Sequence, residues 1–488
     1  MASWCYPESW HRVLCSTLGI ERMAKCQETY LSSVTAEAHM QSKFVGAVSI
    51  LALLCAGCGG SGSDAATASP AITPTAPSTT LWPTATLTSV AYTYNGSGGN
   101  RIVAGRGALP NATVIDIALD GVPRWLLSAR RSDLETVWVC VLADGRVVGY
   151  VLNGDRTIPI AISPATIDAS LQPTLALDDK GAAYLLNIVD VHTPSGSTTT
   201  AVQLSTKKSA HVDTSGNLIL RSDAGDENLS LNALPNTRIL VDEQERLLLL
   251  ADPSDRYSHD VLHGNSIANS VVFVATQPKL QVIKKIEMPA PKVIEGNGLI
   301  WADMNGDGQR DIIVTVSDST VGSALMVYSE QGALLAAGAP IGTGFRWHHQ
   351  VAVAPFMTSN VPELAVTRTP HIGGVTEFYH IEGPQLISDS AKLGYTSHHE
   401  SASDNIDMSL AGDFDGDSQM ELLVPSEDFT RLGAIAHFGA NDVRRKWEVQ
   451  IGGELMTNVS AVNDGAGHLI VGVGHSNKGL RIWRDPSL

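Results

Sequence analysis

The chain has 488 residues, with 33 Lys plus Arg against 50 Asp plus Glu and a formal net charge of −17. Apolar residues make up 43%, enough to bury a core, which excludes wholesale disorder. The acidic balance excludes a nucleic-acid partner, which demands a cationic face, and the length admits two or three ordinary domains or one large all-β domain.

Of six cysteines, Cys5, Cys15 and Cys26 precede Met40, Cys55 and Cys58 lie in an apolar run, and Cys140 stands alone. Disulfides therefore do not stabilise the folded body, and Cys140 in an alternating strand reads as a small buried hydrophobe. From Met40 a single Lys43 leads into the apolar segment Phe44 to Leu54. That segment is too short to span a bilayer and fits the h-region of a signal peptide over residues 40–57. Ala56-Gly57-Cys58-Gly59 resembles a bacterial lipobox, with Cys55 where Leu is usual. The resemblance implies lipidation of Cys58, a membrane anchor, and a location in the cell envelope outside the cytoplasmic membrane. Met40 then reads as the start, and residues 1–39 as a mis-assigned upstream extension. Residues 1–57 carry four bases and four acids, so their removal leaves the charge at −17. Residues 58–89 are rich in Ser, Thr, Pro and Gly and read as an extended tether.

Residues 90–488 carry a repeat. Asp303-Met-Asn305-Gly-Asp307-Gly308-Gln309-Arg-Asp311-Ile-Ile-Val314 matches Asp413-Phe-Asp415-Gly-Asp417-Ser418-Gln419-Met-Glu421-Leu-Leu-Val424. Pro355 to Val366 keeps only the ending, Glu363-Leu-Ala-Val366. Weaker anchors stand at Asp120, Asp178, Asp242 and Ser460, which makes seven recurrences of uneven length. Within the units the pattern is β. Val137 to Leu152 is two β-rich runs around Asp144-Gly145, and hairpins read around Gly332, Gly383 and Asn441. Units of this size with about four strands predict an all-β, seven-bladed β-propeller. The last unit offers only two evident strands, so Val90–Tyr94 and Arg101–Ala104 are expected to complete it and close the ring.

The carboxylate loops need a cation. Three acids within nine residues repel one another, and a hard cation satisfied by six to eight oxygens relieves this. Asp303, Asn305, Asp307 and Asp311 supply side chains, with Gln309 a carbonyl; Asp413, Asp415, Asp417, Gln419 and Glu421 do the same in the second loop. The all-oxygen, loop-borne set predicts structural calcium. An EF-hand is excluded, because position 12 is Val314 or Val424 and both flanks are β-like. The loop-plus-strand form resembles the FG-GAP and VCBS repeats, including the integrin α-subunit propeller. That resemblance implies a calcium loop joining two strands of a blade.

Histidines cluster at His348-His349, His371, His380 and His398-His399. His349, His371 and His398, meeting Arg346 or Glu400 at a propeller mouth, are the candidates for a carbohydrate- or phosphate-ester-active enzyme. No phosphate loop, nucleophile elbow or HExxH motif accompanies them. Trp125, Trp138, Trp301, Trp347, Trp447 and Trp483 read as blade packing. The preferred function is binding or adhesion to a protein or polysaccharide, or a scaffold role in an envelope complex.

Overall fold

The computed structural model describes residues 101–488 apart from 133, 171, 179, 187–200, 206–207, 260, 263–265, 358, 360, 400–402 and 488. Cys58, the signal peptide, the tether, Val90–Tyr94 and Glu400 lie outside the described residues. Among the described residues every regular element is a β-strand.

The strands form eight antiparallel meanders in chain order. Unit I spans 123–160, unit III 202–230, unit IV 240–287, unit V 300–338, unit VI 348–393 and unit VII 410–450, each with four strands. Unit II (174–186) shows two strands, and unit VIII (460–484) shows three. The expected hairpins are present. Val141 pairs with Val147 around Gly145, and Tyr328 with Leu334 around Gly332. Glu382 pairs with Gln385, and His437 with Val443.

The strands read as continuous apolar runs because alternate side chains face different neighbours. Leu248 and Leu250 join Trp301, Ile312 and Val314 between units IV and V. Leu247 and Leu249 point the other way, to Leu218 and Leu220 of unit III. Ile313 and Val327 turn from unit V toward Leu364 and Val366 of unit VI. The same sequence of layers continues from VI to VII and from VII to VIII. Unit VIII then packs on unit I, with Ile470 and Ile482 against Leu126, Trp138 and Cys140. Trp125 of unit I faces Leu175 and Leu185 of unit II. The sheets thus succeed one another in a circuit that returns to its first member.

Two amino-terminal strands secure that return. β1 (Ile102–Arg106) adds a parallel strand to the free edge of Leu410–Asp413, pairing Ile102 with Ala411. β2 (Thr113–Ala118) supplies the fourth strand of unit VIII, antiparallel to Gly479–Arg484. The chain does close through its amino-terminal end, but with 113–118; the segment containing Arg101–Ala104 joins unit VII instead. Asn458 cements the junction. Its Oδ1 accepts the Leu126 N–H at 3.0 Å, and its Nδ2 donates to the Leu126 carbonyl at 2.7 Å. Ser128 and Ser460 hydroxyls meet at 2.8 Å. Gly472 is required here, since a Cβ would fall 2.3 Å from the Trp138 ring.

The count of eight departs from the expected seven. The span between Asp178 and Asp242 holds two meanders, because a further anchor, Asp213, sits in unit III. Truncating Asn458 to Ala leaves a buried N–H and C=O of Leu126 unpaired. Urea unfolding is expected to show a loss of roughly 2–4 kcal/mol. The exposed Asn477→Ala, which removes one amide bond to the Gly452 carbonyl, stays within about 0.5 kcal/mol.

Candidate functional site

A carboxylate organises the turn that precedes an interior strand in most units. Asp178, Asp213, Asp242 and Asp464 each accept the N–H groups two and four residues on, at 2.7–3.0 Å. This satisfies two donors that a tight turn leaves without strand partners. In units V, VI and VII the turn is longer, and the acid stands at the start of the second strand. Asp311 accepts from Met304 N (3.0 Å), Glu363 from Met357 N (3.1 Å) and Glu421 from Phe414 N (2.9 Å).

Several of these acids are fully buried, and an ionised carboxylate taken out of water costs several kcal/mol unless it is paired. The chain provides the partner in four cases. Arg246 Nε lies 2.5 Å from Asp242, and His468 Nδ1 2.8 Å from Asp464. His437 Nδ1 lies 2.8 Å from Glu363, and Lys446 Nζ 2.5 Å from Glu421. Unit V breaks the pattern. Asp303 and Asp311 are buried, and among the described residues no basic side chain pairs with Asp303, Asp307 or Asp311. Arg310, inside the loop, turns to Glu243 at 2.5 Å and Asp242 at 3.8 Å. Burial first, with repulsion from Asp307 and Asp303 added, pushes the Asp311 carboxyl up to about 7. Asp303 is raised too, chiefly by burial.

In the unit V loop the acids also tie down backbone N–H groups. Asp303 Oδ1 accepts Gly306 N (2.7 Å) and Oδ2 accepts Gly308 N (2.8 Å). Asn305 Oδ1 accepts Asp307 N, and Asp307 Oδ1 accepts Gln309 N. Gly306 and Gly308 adopt φ of 76° and 85°, the left-handed region glycine tolerates. The donor set is all oxygen, as calcium requires.

The unit VII loop gathers its acids closely and adds a lysine. One oxygen from each of Asp413, Asp415, Asp417 and Glu421 lies within 4.8 Å of the others. Lys446, from the last strand of the same unit, reaches Asp415 at 2.8 Å, Asp417 at 2.7 Å and Glu421 at 2.5 Å. Burial works against this ammonium, yet the three carboxylates outweigh it and raise its pKa. Trp447 Nε1 donates to Asp415 at 3.0 Å. Gln419 spends its side-chain amide on the Phe356 and His437 carbonyls. Ser418 at the glycine position is held at φ 76°, a strain its glycine counterpart avoids.

The structure brings His349, His371 and His398 together. His371 Nε2 lies 2.5 Å from His398 Nδ1, and His398 Nε2 lies 2.7 Å from the Ser403 carbonyl. A carbonyl only accepts, so His398 carries its hydrogen on Nε2 and takes one from His371 on Nδ1. His349 Nδ1 meets Ser397 Oγ at 2.6 Å, and Trp347 stacks on His349 with centroids 4.7 Å apart. His348 points to the opposite side, toward Ser323, as strand alternation dictates. Burial, chiefly, lowers His371 to about 4, His398 to about 3 and His349 well below the usual imidazole range. Among the described residues no carboxylate hydrogen-bonds any of the three. Arg346 is exposed and bonded to Ile341, and His399 pairs elsewhere, with Glu454 at 2.6 Å. The cluster is therefore a set of buried rings kept neutral, with His349 Nε2 left over and no acid partner among the described residues. Five of the six tryptophans are buried as expected, and Trp447 is half-buried over the unit VII loop. Sequence reasoning missed Lys446, His437 and Arg101, each of which meets its acid only after the sheets have formed.

No family model matches the chain, and no curated protein matches it. Among solved structures it is similar to BamB from Moraxella catarrhalis, at 12% identity and a TM-score of 0.43. The match covers 77% of this chain and 99% of that one. It assigns no function to this chain.

The histidines set an acid limit on stability. Their folded pKa values lie below the unfolded value near 6.5. Their contribution is thus fully present above pH 6.5 and is lost as pH falls toward 4. With calcium present, the melting temperature is expected to drop steadily from pH 6.5 to 5; a flat profile there contradicts the neutral cluster. In chelator, Asp311 acts with the opposite sign. Its raised pKa makes the metal-free protein lose stability as pH rises from about 4 to 7. A calcium ion held at Asp311 would accordingly raise the melting temperature more at pH 8 than at pH 5.

Proposed function

We propose that this chain is a lipid-anchored, extracytoplasmic β-propeller that acts as a binding or scaffold module, with calcium as a structural ion. The eight meanders serve as blades, and the loops they fix form the surface offered to a protein or polysaccharide. Lipidation at Cys58 and the Ser/Thr/Pro tether would hold the disc away from a membrane. A binding role fits the histidine cluster better than catalysis does, since its rings are neutral and buried and, among the described residues, bond no carboxylate.

The observation that carries the metal assignment is the missing counter-ion of unit V. At Asp242, Glu363, Glu421 and Asp464 an Arg, His or Lys of the chain neutralises the buried acid. Among the described residues Asp303, Asp307 and Asp311 have no such partner, and Asn305 and Gln309 add oxygens that a divalent cation drawn into the loop could use. In unit VII calcium must displace Lys446, so the two matched loops are not equivalent sites.

Calorimetric titration of the chelated full chain is expected to give one tight calcium site. Asp307→Ala removes it, and Asp415→Ala leaves it in place. Lys446→Met uncovers a second site. Two equal sites in the unaltered protein would contradict the role given to Lys446, and none would contradict the metal assignment. On a glycan and protein array, ligand retention by the calcium-loaded chain that survives His371→Gln supports the binding role. Turnover of an arrayed glycan or phosphate ester abolished by that substitution would contradict it.

A further inference from the structure

At the inner end of units V to VII a small cavity collects polar groups that have nothing to bond. It is lined by Arg101, Asn297, Trp347, His349 and Gln350, with Ile406 and the backbone of Gly296 to Leu299. Its volume is about 10 Å³, room for the centre of a single water-sized sphere. Arg101, Asn297, Trp347 and His349 are each over nine-tenths buried. Yet among the described residues Arg101 Nε and Nη1, Trp347 Nε1, His349 Nε2 and Asn297 Oδ1 all lack a hydrogen-bond partner. Leaving one such group unsatisfied costs about 1–3 kcal/mol, so several around one cavity mark a place for a guest.

The chemistry of these groups selects the guest. The indole and guanidinium nitrogens only donate, and His349 Nε2 can donate when Ser397 takes the role of donor to Nδ1. Asn297 is the one acceptor, its orientation fixed because Nδ2 donates to the Asn236 carbonyl at 3.1 Å. The charge is cationic on the same side. Arg101 Nη2 pairs with Asp407 at 2.9 Å, and Arg238 approaches that same carboxylate at 3.5 Å. Arg238 also donates to Gln172 and to the Asp404 carbonyl. Two guanidinia thus share Asp407, and the outer side of Arg101 has nitrogens to offer. Burial makes that guanidinium harder to hold charged, which a negative guest in the cavity offsets.

We propose that this cavity is a binding site for a small monatomic anion of chloride size, held by Arg101, Trp347 and His349. The anion would link β1 to the start of unit VI, at the point where the amino-terminal strand enters the circuit. This site is independent of the calcium loops and of any ligand on the outer surface.

The full chain, with calcium saturating, is to be melted in sodium chloride and in sodium gluconate at equal ionic strength. The melting temperature should be higher in chloride by ~3 °C. Trp347→Phe keeps the ring over His349 but removes the donor, and Arg101→Lys keeps the charge beside Asp407 but removes Nε. Both should abolish the difference between the two salts. Crystals grown in bromide should show an anomalous peak bounded by Arg101, Trp347 and His349. Equal melting in both salts, or a cavity holding only water in the bromide crystals, overturns the proposal. The crystals decide the matter if a variant does not fold.

Discussion

A carboxylate buried at the base of an interior strand has to be neutralised, and this requirement recurs from unit IV through unit VIII. The acid is worth burying because it satisfies loop N–H groups that no strand partner can reach. It is tolerable only when a positive charge accompanies it. Arg246, His437, Lys446 and His468 do this for Asp242, Glu363, Glu421 and Asp464. The four solutions come from different places: two from the turn itself, Lys446 from the last strand of its own unit, and His437 of unit VII reaching across to Glu363 of unit VI. The repeat therefore keeps the problem while the source of the cation changes from unit to unit. Unit V is the exception among the described residues, and the proposed calcium site rests on that contrast.

The rest of the fold is held by apolar layers with two-sided strands. Each sheet gives one set of alternate residues to each neighbour, so no unit can cover both faces alone. Closure through β2 and Asn458 then makes the arrangement a single cooperative body, since opening the last junction exposes both units VIII and I. The histidine cluster belongs to this architecture. Trp347, His349, His371 and His398 fill the inner end of units VI and VII, where burial keeps the rings uncharged. Their polar edges also give that region polar groups to offer a guest in the neighbouring cavity.

Much of this was legible in the chain. Asp144-Gly145 fixed a hairpin because few residues other than glycine accept its turn conformation, and the Asp303 and Asp413 loops announced themselves by matching residue for residue. The unit count was not legible, because the Asp213 turn lies between the second and third strands of its unit and lacks a β-rich run as strong as Leu247 to Leu250. The strand that completes unit VIII was misplaced for a related reason. Ile102-Val103-Ala104 looks more β-like than Thr113 to Ala118, yet only the latter alternates exposed and half-buried residues, as an outer strand must. Lys446 was illegible altogether. It lies 25 residues past Glu421 on an exposed-looking strand, and only the antiparallel fold of unit VII brings it over the acids.

The central claim is that unit V lacks a cation of its own and takes calcium, while unit VII carries its cation in the chain. Long-wavelength diffraction from crystals grown in calcium tests it most directly. The account predicts an anomalous peak among Asp303, Asp307 and Asp311, with Lys446 still seated between Asp415, Asp417 and Glu421. A bare unit V loop, or peaks of equal height in both loops with Lys446 swung away, would contradict it.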